Sequence, residues 1–115
     1  ARIGEARAAR REIERELDRL QIRVSADVRT AIARVIEAQT QVNLQTENAV
    51  LVTQNRDLVE LEYKSGEGTL VRLNEAQRDL NTARGRLAQA RVALRQAWFD
   101  LKVETGEILS EYAQP

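Results

Sequence analysis

The stretch from Glu5 to Lys64 contains neither glycine nor proline, and no other feature limits the fold of this chain as much. The only proline is Pro115, at the C-terminus. Glycine and proline are the residues that most often end a helix, so nothing in this stretch interrupts one. A continuous helix over about residues 3–64 would be about 90 Å long at roughly 1.5 Å per residue. The sequence therefore predicts a rod rather than a globular domain.

A single turn signal follows this stretch. Residues 65–69 read Ser-Gly-Glu-Gly-Thr. Gly66 and Gly68 are both free to take a positive φ, and the hydroxyl of Thr69 can cap a new helix. The chain is therefore expected to reverse direction once, at this tip.

The expected fold class is all-α, a long antiparallel helical hairpin of the coiled-coil type that forms a single unit over residues 1–115. The first helix is expected over about 3–64 and the second over about 70–105. Gly106 is well placed for a left-handed cap at the end of the second helix. The remaining segment, 106–115, is expected to add a helical turn or to fray.

The second helix carries the most regular pattern in the sequence. Leucines recur every seven residues, and alanines fill the alternate positions of the same row. These residues are Leu73, Leu80, Leu87, Leu94 and Leu101, with Ala76, Ala83, Ala90 and Ala97. Such heptads predict a left-handed coiled-coil seam. Alanine at every second seam position lets a neighbouring helix approach closely, which favours a tight antiparallel partner.

The first helix has a rougher seam and more apolar surface than one partner can cover. Its seam residues are Leu17, Leu20, Val24, Val28, Ala31, Val35, Ala38, Val42, Ala49, Val52, Val59 and Tyr63. A second apolar row lies beside the seam and consists of Leu44, Leu51 and Leu58. Reflection of the chain about Glu67 places Leu101 opposite Ala33, so residues before about Val28 lack a partner within the chain. We therefore expect further helices, from a parent protein or from other copies, to cover this helix.

Composition argues against several classes of protein. The chain has no Cys and no His, so thiol chemistry, Ser-His-Asp triads and ordinary zinc sites lack their residues. The carboxylates near the tip lack a ligand pattern, and we expect neither a metal site nor a cofactor. Arginines and acidic residues alternate through the first segment, which is typical of a solvated helix face. We expect neither enzymatic activity nor nucleic-acid binding.

Several smaller features bear on origin and packing. No apolar run approaches the roughly 20 residues that a membrane-spanning helix needs, and no signal-peptide pattern is present. The chain lacks Met and opens in Ala1-Arg2-Ile3, so we interpret it as an excised or processed fragment.

Tyr63, Trp98 and Phe99 are interpreted as packing residues. The middle of the first helix is rich in uncharged polar residues, as a solvated face or a wetted tunnel lining would be.

A set of short motifs surrounds the tip in a fixed order. The motif residues are Tyr63, Gly66 and Thr69, then Glu75-Ala76-Gln77, then Leu101 and Gly106. Their order and spacing resemble those of the TolC-type outer-membrane efflux proteins. The Arg/Glu-rich opening, with Ile3 and Ala6, is similar to the point at which such proteins enter their periplasmic α-barrel. The resemblance covers nearly the whole chain and is closest to the second of the family's two helical repeats.

The resemblance implies a passive conduit for multidrug or metabolite export. The full-length parent would be a homotrimer whose hairpins are staves of a periplasmic α-barrel. A β-barrel, absent from this chain, would anchor the parent in the outer membrane of a Gram-negative cell. The tip would dock a periplasmic adaptor, the membrane fusion protein, which is coupled to an inner-membrane pump. The adaptor-facing residues would be Tyr63, Gly66, Glu67, Gly68, Thr69 and Leu70.

The sequence departs from the family pattern at two positions. Arg72 stands where members often carry an acidic residue, and Asn74 stands where a leucine is common. In the family, acidic side chains on this turn constrict the closed tip. The resemblance therefore gives a candidate pore constriction of different charge, formed by Arg72 and Glu75.

Two other interpretations remain open. The chain could be a soluble coiled-coil scaffold, including the hairpin of a periplasmic adaptor that meets such a channel tip to tip. It could also be a designed or excised coiled coil without a function of its own. The parent gene separates these interpretations, because a channel needs amphipathic strands and a second hairpin with a similar tip, whereas an adaptor needs flanking lipoyl-like strands.

Overall fold

The computed structural model describes residues 2–106, which form two helices joined by a short turn. Helix α1 is Arg2–Lys64 and helix α2 is Leu70–Thr105. The helices pack as an antiparallel hairpin that measures 97 × 31 × 16 Å. The all-α hairpin expected from the sequence is confirmed. Of the expected C-terminal segment, only Gly106 belongs to the described residues.

Both ends of α2 have the caps that the sequence predicts. The hydroxyl oxygen of Thr69 accepts a hydrogen bond of 3.2 Å from the backbone N–H of Arg72. Gly106 has a φ of 74° and donates its N–H to the carbonyl of Val103 at 3.2 Å. These bonds satisfy backbone groups that have no partner within the helix, and they define where α2 begins and ends.

The core is a single seam between the two helices. The buried residues are Ala31, Val35 and Val59 of α1 and Ala76, Leu80, Ala83 and Ala97 of α2. Leu80 is the only large side chain among the described residues that is completely buried. Because small side chains fill most of the seam, the helices approach closely but enclose little apolar volume.

Two polar residues complete the seam of α1. Gln45 follows Val42 by three residues, Arg56 precedes Val59 by three, and both polar side chains are partly buried. With these two positions filled, the row of α1 keeps regular heptad spacing up to the tip. Neither residue was predicted from the sequence to lie in the seam, because both side chains are polar and the predicted seam was apolar.

Arg56 makes the seam near the tip partly polar. Its Nη2 lies 2.9 Å from Asp57 Oδ1, and its Nη1 lies 3.6 Å from Glu60 Oε2. Its Nε is buried and has no hydrogen-bond partner. A buried N–H without a partner lowers stability, so this turn of the seam is held less strongly than the turns packed with alanine and leucine.

Helix α1 extends well beyond the end of α2. Val103 and Glu104 near the end of α2 line the same hollow as Asp27 and Thr30 of α1. Residues 2–27, here called the overhang, therefore project past α2 for about 39 Å. Every residue from 2 to 27 is exposed in the described part of the chain, as expected for a region that α2 does not cover.

The hairpin also leaves apolar side chains exposed along its sides. Leu44, Leu51 and Leu58 are more than half exposed, and Trp98 and Phe99 are about half exposed. Trp98 lines a hollow with Ile32 and Ile36 of α1. The interpretation of Trp98 and Phe99 as packing residues stays a prediction.

Candidate functional site

The C-terminus of α1 closes with a Schellman motif, which shapes the tip. The N–H of Glu67 donates to the carbonyl of Glu62 at 3.0 Å, and the N–H of Gly66 donates to the carbonyl of Tyr63 at 3.1 Å. Gly66 has a φ of +86°, a left-handed conformation that favours glycine. This pair of bonds turns the chain sharply at the end of α1.

Gly68 is required for a different reason from the one expected. Its φ is not positive, because Gly66 and Gly106 are the only positive-φ residues in the range 2–106. A Cβ at Gly68 would lie 3.0 Å from the backbone nitrogen of Tyr63 and 3.2 Å from the carbonyl carbon of Glu62. Its N–H donates to the same Glu62 carbonyl at 3.0 Å. Gly68 therefore allows the returning chain to lie directly against the end of α1.

A single ion pair joins the two helices beside the tip. Arg72 Nη1 lies 3.6 Å from Glu62 Oε2, and no other ion pair between α1 and α2 occurs in the described part of the chain. The charge of Arg72 is thus partly neutralised within the hairpin. Glu75, its partner in the expected pore constriction, is exposed one turn further along α2. The role of these two residues in a constriction stays a prediction.

Glu60 links the last two turns of α1. Its Oε1 lies 3.0 Å from Lys64 Nζ, and its Oε2 lies 3.6 Å from Arg56 Nη1. The hydrogen bond and the charge of Lys64, followed by the charge of Arg56, hold the pKa of Glu60 below its ordinary value. Since the pKa is lowered by folding, the stabilisation is present above the ordinary pKa and is lost as pH falls through the lowered one.

Apolar side chains surround the bare backbone of the turn. Tyr63 is 40% exposed, Leu70 is 53% exposed and Val71 is 67% exposed. Val71 was missed in the sequence analysis, although its place two residues before the seam residue Leu73 already excludes it from the seam. We call these residues together the tip surface: Tyr63, Gly66, Glu67, Gly68, Thr69, Leu70 and Val71.

The tip surface is suited to contact with another protein. Its backbone shape is fixed by hydrogen bonds, its two glycines present no side chain, and its apolar side chains are 40–67% exposed. Over residues 2–106, no group of three or more acidic side chains is placed to hold a metal ion. Within the same range, neither helix has a stretch apolar and long enough to cross a membrane.

The polar middle of α1 is partly satisfied by its own helix. The hydroxyls of Thr40, Thr46 and Thr53 donate to carbonyls one turn earlier, at 2.9, 2.7 and 2.7 Å. Gln39 Nε2 donates to Asn43 Oδ1 at 3.0 Å. These groups form local pairs along the helix surface and do not converge on one point. The arrangement offers many weak hydrogen-bonding positions and no single strong site.

No protein-family model, curated protein or solved structure matches the chain. The likeness to TolC-type proteins therefore depends on the motifs around the tip, and its functional content is a proposal.

Proposed function

We propose that this hairpin is a stave of the periplasmic α-barrel of a TolC-type outer-membrane export channel. In this role it is a passive conduit, and its tip surface docks a periplasmic adaptor that is coupled to an inner-membrane pump. The observation that carries the proposal is the tip itself, where exposed apolar side chains flank a glycine backbone at the free end of a long rod.

The structure of the tip surface supports docking to a helical partner. The Schellman motif and the Thr69 cap hold the turn in one shape, so little conformational entropy is lost on binding. Gly66 and Gly68 let a partner approach the backbone closely. Leu70 and Val71 supply apolar area that water covers in the isolated chain. Rigid shape and exposed apolar area together are the usual basis of a protein-binding surface.

The sides of the hairpin support a place in a wall of several helices. The outer row at Leu44, Leu51 and Leu58 lies away from the seam and is exposed, as is Trp98 at the flank of α2. A helix that is apolar on more than one face is usually buried against more than one neighbour. In the proposed α-barrel, the adjacent staves of a homotrimer cover these faces.

Substitution of Val71 with aspartate in the full-length parent should abolish or strongly reduce export. The change places a charge among the apolar groups of the tip surface, where docking would have to desolvate it. Position 71 lies in the first turn of α2, where a carboxylate interacts favourably with the helix dipole, so the hairpin should remain folded. Export is measured as accumulation of a transported dye or drug, and channel abundance is measured by immunoblot.

Val92→Asp is a matched control for this experiment. Val92 is 64% exposed and occupies the same outward heptad position as Val71, three heptads further from the tip. The proposal predicts that Val92→Asp exports better than Val71→Asp at equal protein levels. Full export by Val71→Asp, or equal losses in the two variants, would contradict docking through the tip.

A further inference from the structure

The overhang carries a heptad row that ends in opposite charges. The row consists of Arg10, Ile13, Leu17, Leu20, Val24 and Asp27, at alternating steps of three and four residues. Its four apolar members are between 49% and 61% exposed. This spacing is that of a coiled-coil seam, but α2 reaches only the last member of the row, Asp27, which lines a hollow with Val103 and Glu104.

We propose that a second copy of this chain covers the row. The two overhangs pair antiparallel, with Arg10 of each copy facing Asp27 of the other. Leu17 then packs on Leu20 of the second copy, and Ile13 packs on its Val24. Twofold symmetry repeats each contact, so four apolar layers lie between two end layers that each pair Arg10 of one copy with Asp27 of the other.

The flanks of the row are complementary in the same register. Glu16 of each copy faces Arg23 of the other, because each directly precedes a seam residue. Residues at this position also pair across the seam of the hairpin. Glu62 directly precedes the seam residue Tyr63, and Arg72 directly precedes a seam leucine. Their charged groups lie 3.6 Å apart. The ion pairs of the described residues all fall between positions 56 and 72, so Glu16 and Arg23 are in none of them.

Other alignments of the two overhangs bring like charges together. A shift of one heptad in one direction places Glu16 opposite Glu16 and Glu14 opposite Glu14. The shift in the other direction places Arg23 opposite Arg23 and packs Asp27 against Leu17. Parallel pairing stacks Arg10 on Arg10 and Asp27 on Asp27 within the seam. The charge pattern therefore selects the antiparallel register with Arg10 facing Asp27.

The overhang row is displaced around α1 from the seam that α2 covers. The overhang row reaches Val28 by two successive steps of four residues, from Leu20 through Val24, which breaks the heptad alternation. Such a step moves the apolar row around the helix. The second copy therefore lies beside the end of α2 and not in its place. The first residues of that copy reach the hollow between Asp27 and Glu104.

This pairing is a property of the chain by itself and does not depend on the proposed channel. In a channel wall, other helices would cover the same row. A monomeric mass in solution would contradict the pairing but not the export proposal. Normal export by Val71→Asp would contradict the export proposal but not the pairing.

Charge exchange at Glu16 and Arg23 tests the pairing and its register together. Sedimentation equilibrium of the 115-residue chain at about 0.1 mM should give twice the monomer mass. Glu16→Arg and Arg23→Glu, each alone, should raise the dissociation constant about tenfold, because each variant places like charges at both flanks. A mixture of the two variants should recover the original affinity, since every flank pair in the mixed dimer is again opposite in charge.

Glu12→Arg and Arg19→Glu are the matched controls, because both positions lie on the side of the helix away from the row. They should leave the dissociation constant within about twofold of the original, the scale of ordinary surface changes. A monomer at all concentrations, a trimer or larger assembly, or a dimer that the exchanges at 16 and 23 do not weaken would each overturn the proposal. Circular dichroism of every variant confirms that its helix content is unchanged.

Discussion

Replacement of Leu80 with alanine is expected to lower the free energy of unfolding of the hairpin by about 2–4 kcal/mol. Leu80 is the one large side chain of the described residues that is completely buried, and the other buried residues of the seam are alanines and valines. Truncation removes its transfer free energy and leaves a cavity between two backbones that already lie close together. Urea unfolding followed by far-ultraviolet circular dichroism measures the change.

Leu58→Ala is the matched control for this substitution. Leu58 is 56% exposed in the outer row of α1, so the same truncation there should change the free energy of unfolding by less than about 0.5 kcal/mol. Equal losses in the two variants would contradict the seam described here. A larger loss at Leu58 would mean that the outer row, and not the seam, faces the second helix.

Replacement of both tip glycines with alanine is expected to lower the free energy of unfolding by roughly 2–4 kcal/mol. The two positions act through different mechanisms. Gly66 has a φ of +86°, where an L-residue is strained. A Cβ at Gly68 would lie 3.0 Å from the Tyr63 nitrogen, so the backbone has to move. Urea unfolding of the double variant and of each single variant measures both contributions.

Gly85→Ala separates these tip effects from a general response to glycine replacement. Gly85 lies inside α2, and a Cβ there would meet nothing within 4 Å. Alanine at this position should raise the free energy of unfolding by about 1 kcal/mol, since glycine is the poorer helix former. The tip account therefore predicts opposite signs at Gly85 and at the two tip positions. A stabilising effect of alanine at Gly66 or Gly68 would be inconsistent with it.

The fold could be predicted from the sequence because its signals are local. The absence of glycine and proline from Glu5 to Lys64 predicts α1, and the Leu/Ala heptads predict α2 and its seam. Thr69 and Gly106 mark the two ends of α2, and the structure places a cap at each. Two helices joined by a short turn pack as antiparallel neighbours, so local signals were sufficient for the overall fold.

The details that were not predicted depend on the exact register of the two helices. Arg56 and Gln45 fill seam positions because the backbone places them there, although their side chains are polar. Glycine is required at position 68 because the backbone there lies against the end of α1, and not because of its own φ. This close approach depends on the three-dimensional path of the turn, which the local sequence pattern does not specify. The pairing of Arg72 with Glu62 likewise depends on which turns face each other across the hairpin.

The tip surface was only partly predictable for a related reason. The motif residues Tyr63, Gly66 and Thr69 are visible in the sequence, whereas the exposure of Val71 follows from its position relative to the seam. Trp98 and Phe99 are about half exposed in the hairpin, and their interpretation as packing residues stays a prediction. Exposure that depends on neighbouring helices cannot be read from one hairpin.

Site-specific photo-cross-linking from the tip tests the proposed docking most directly. A photoreactive amino acid replaces Glu67 in the full-length parent, in cells that contain the export system, and a matched variant carries it at the exposed Ala88 of α2. The proposal predicts that the variant at 67 cross-links to a periplasmic adaptor and that the variant at 88 does not. Absence of an adaptor cross-link from position 67, with the channel present at normal levels, would contradict it.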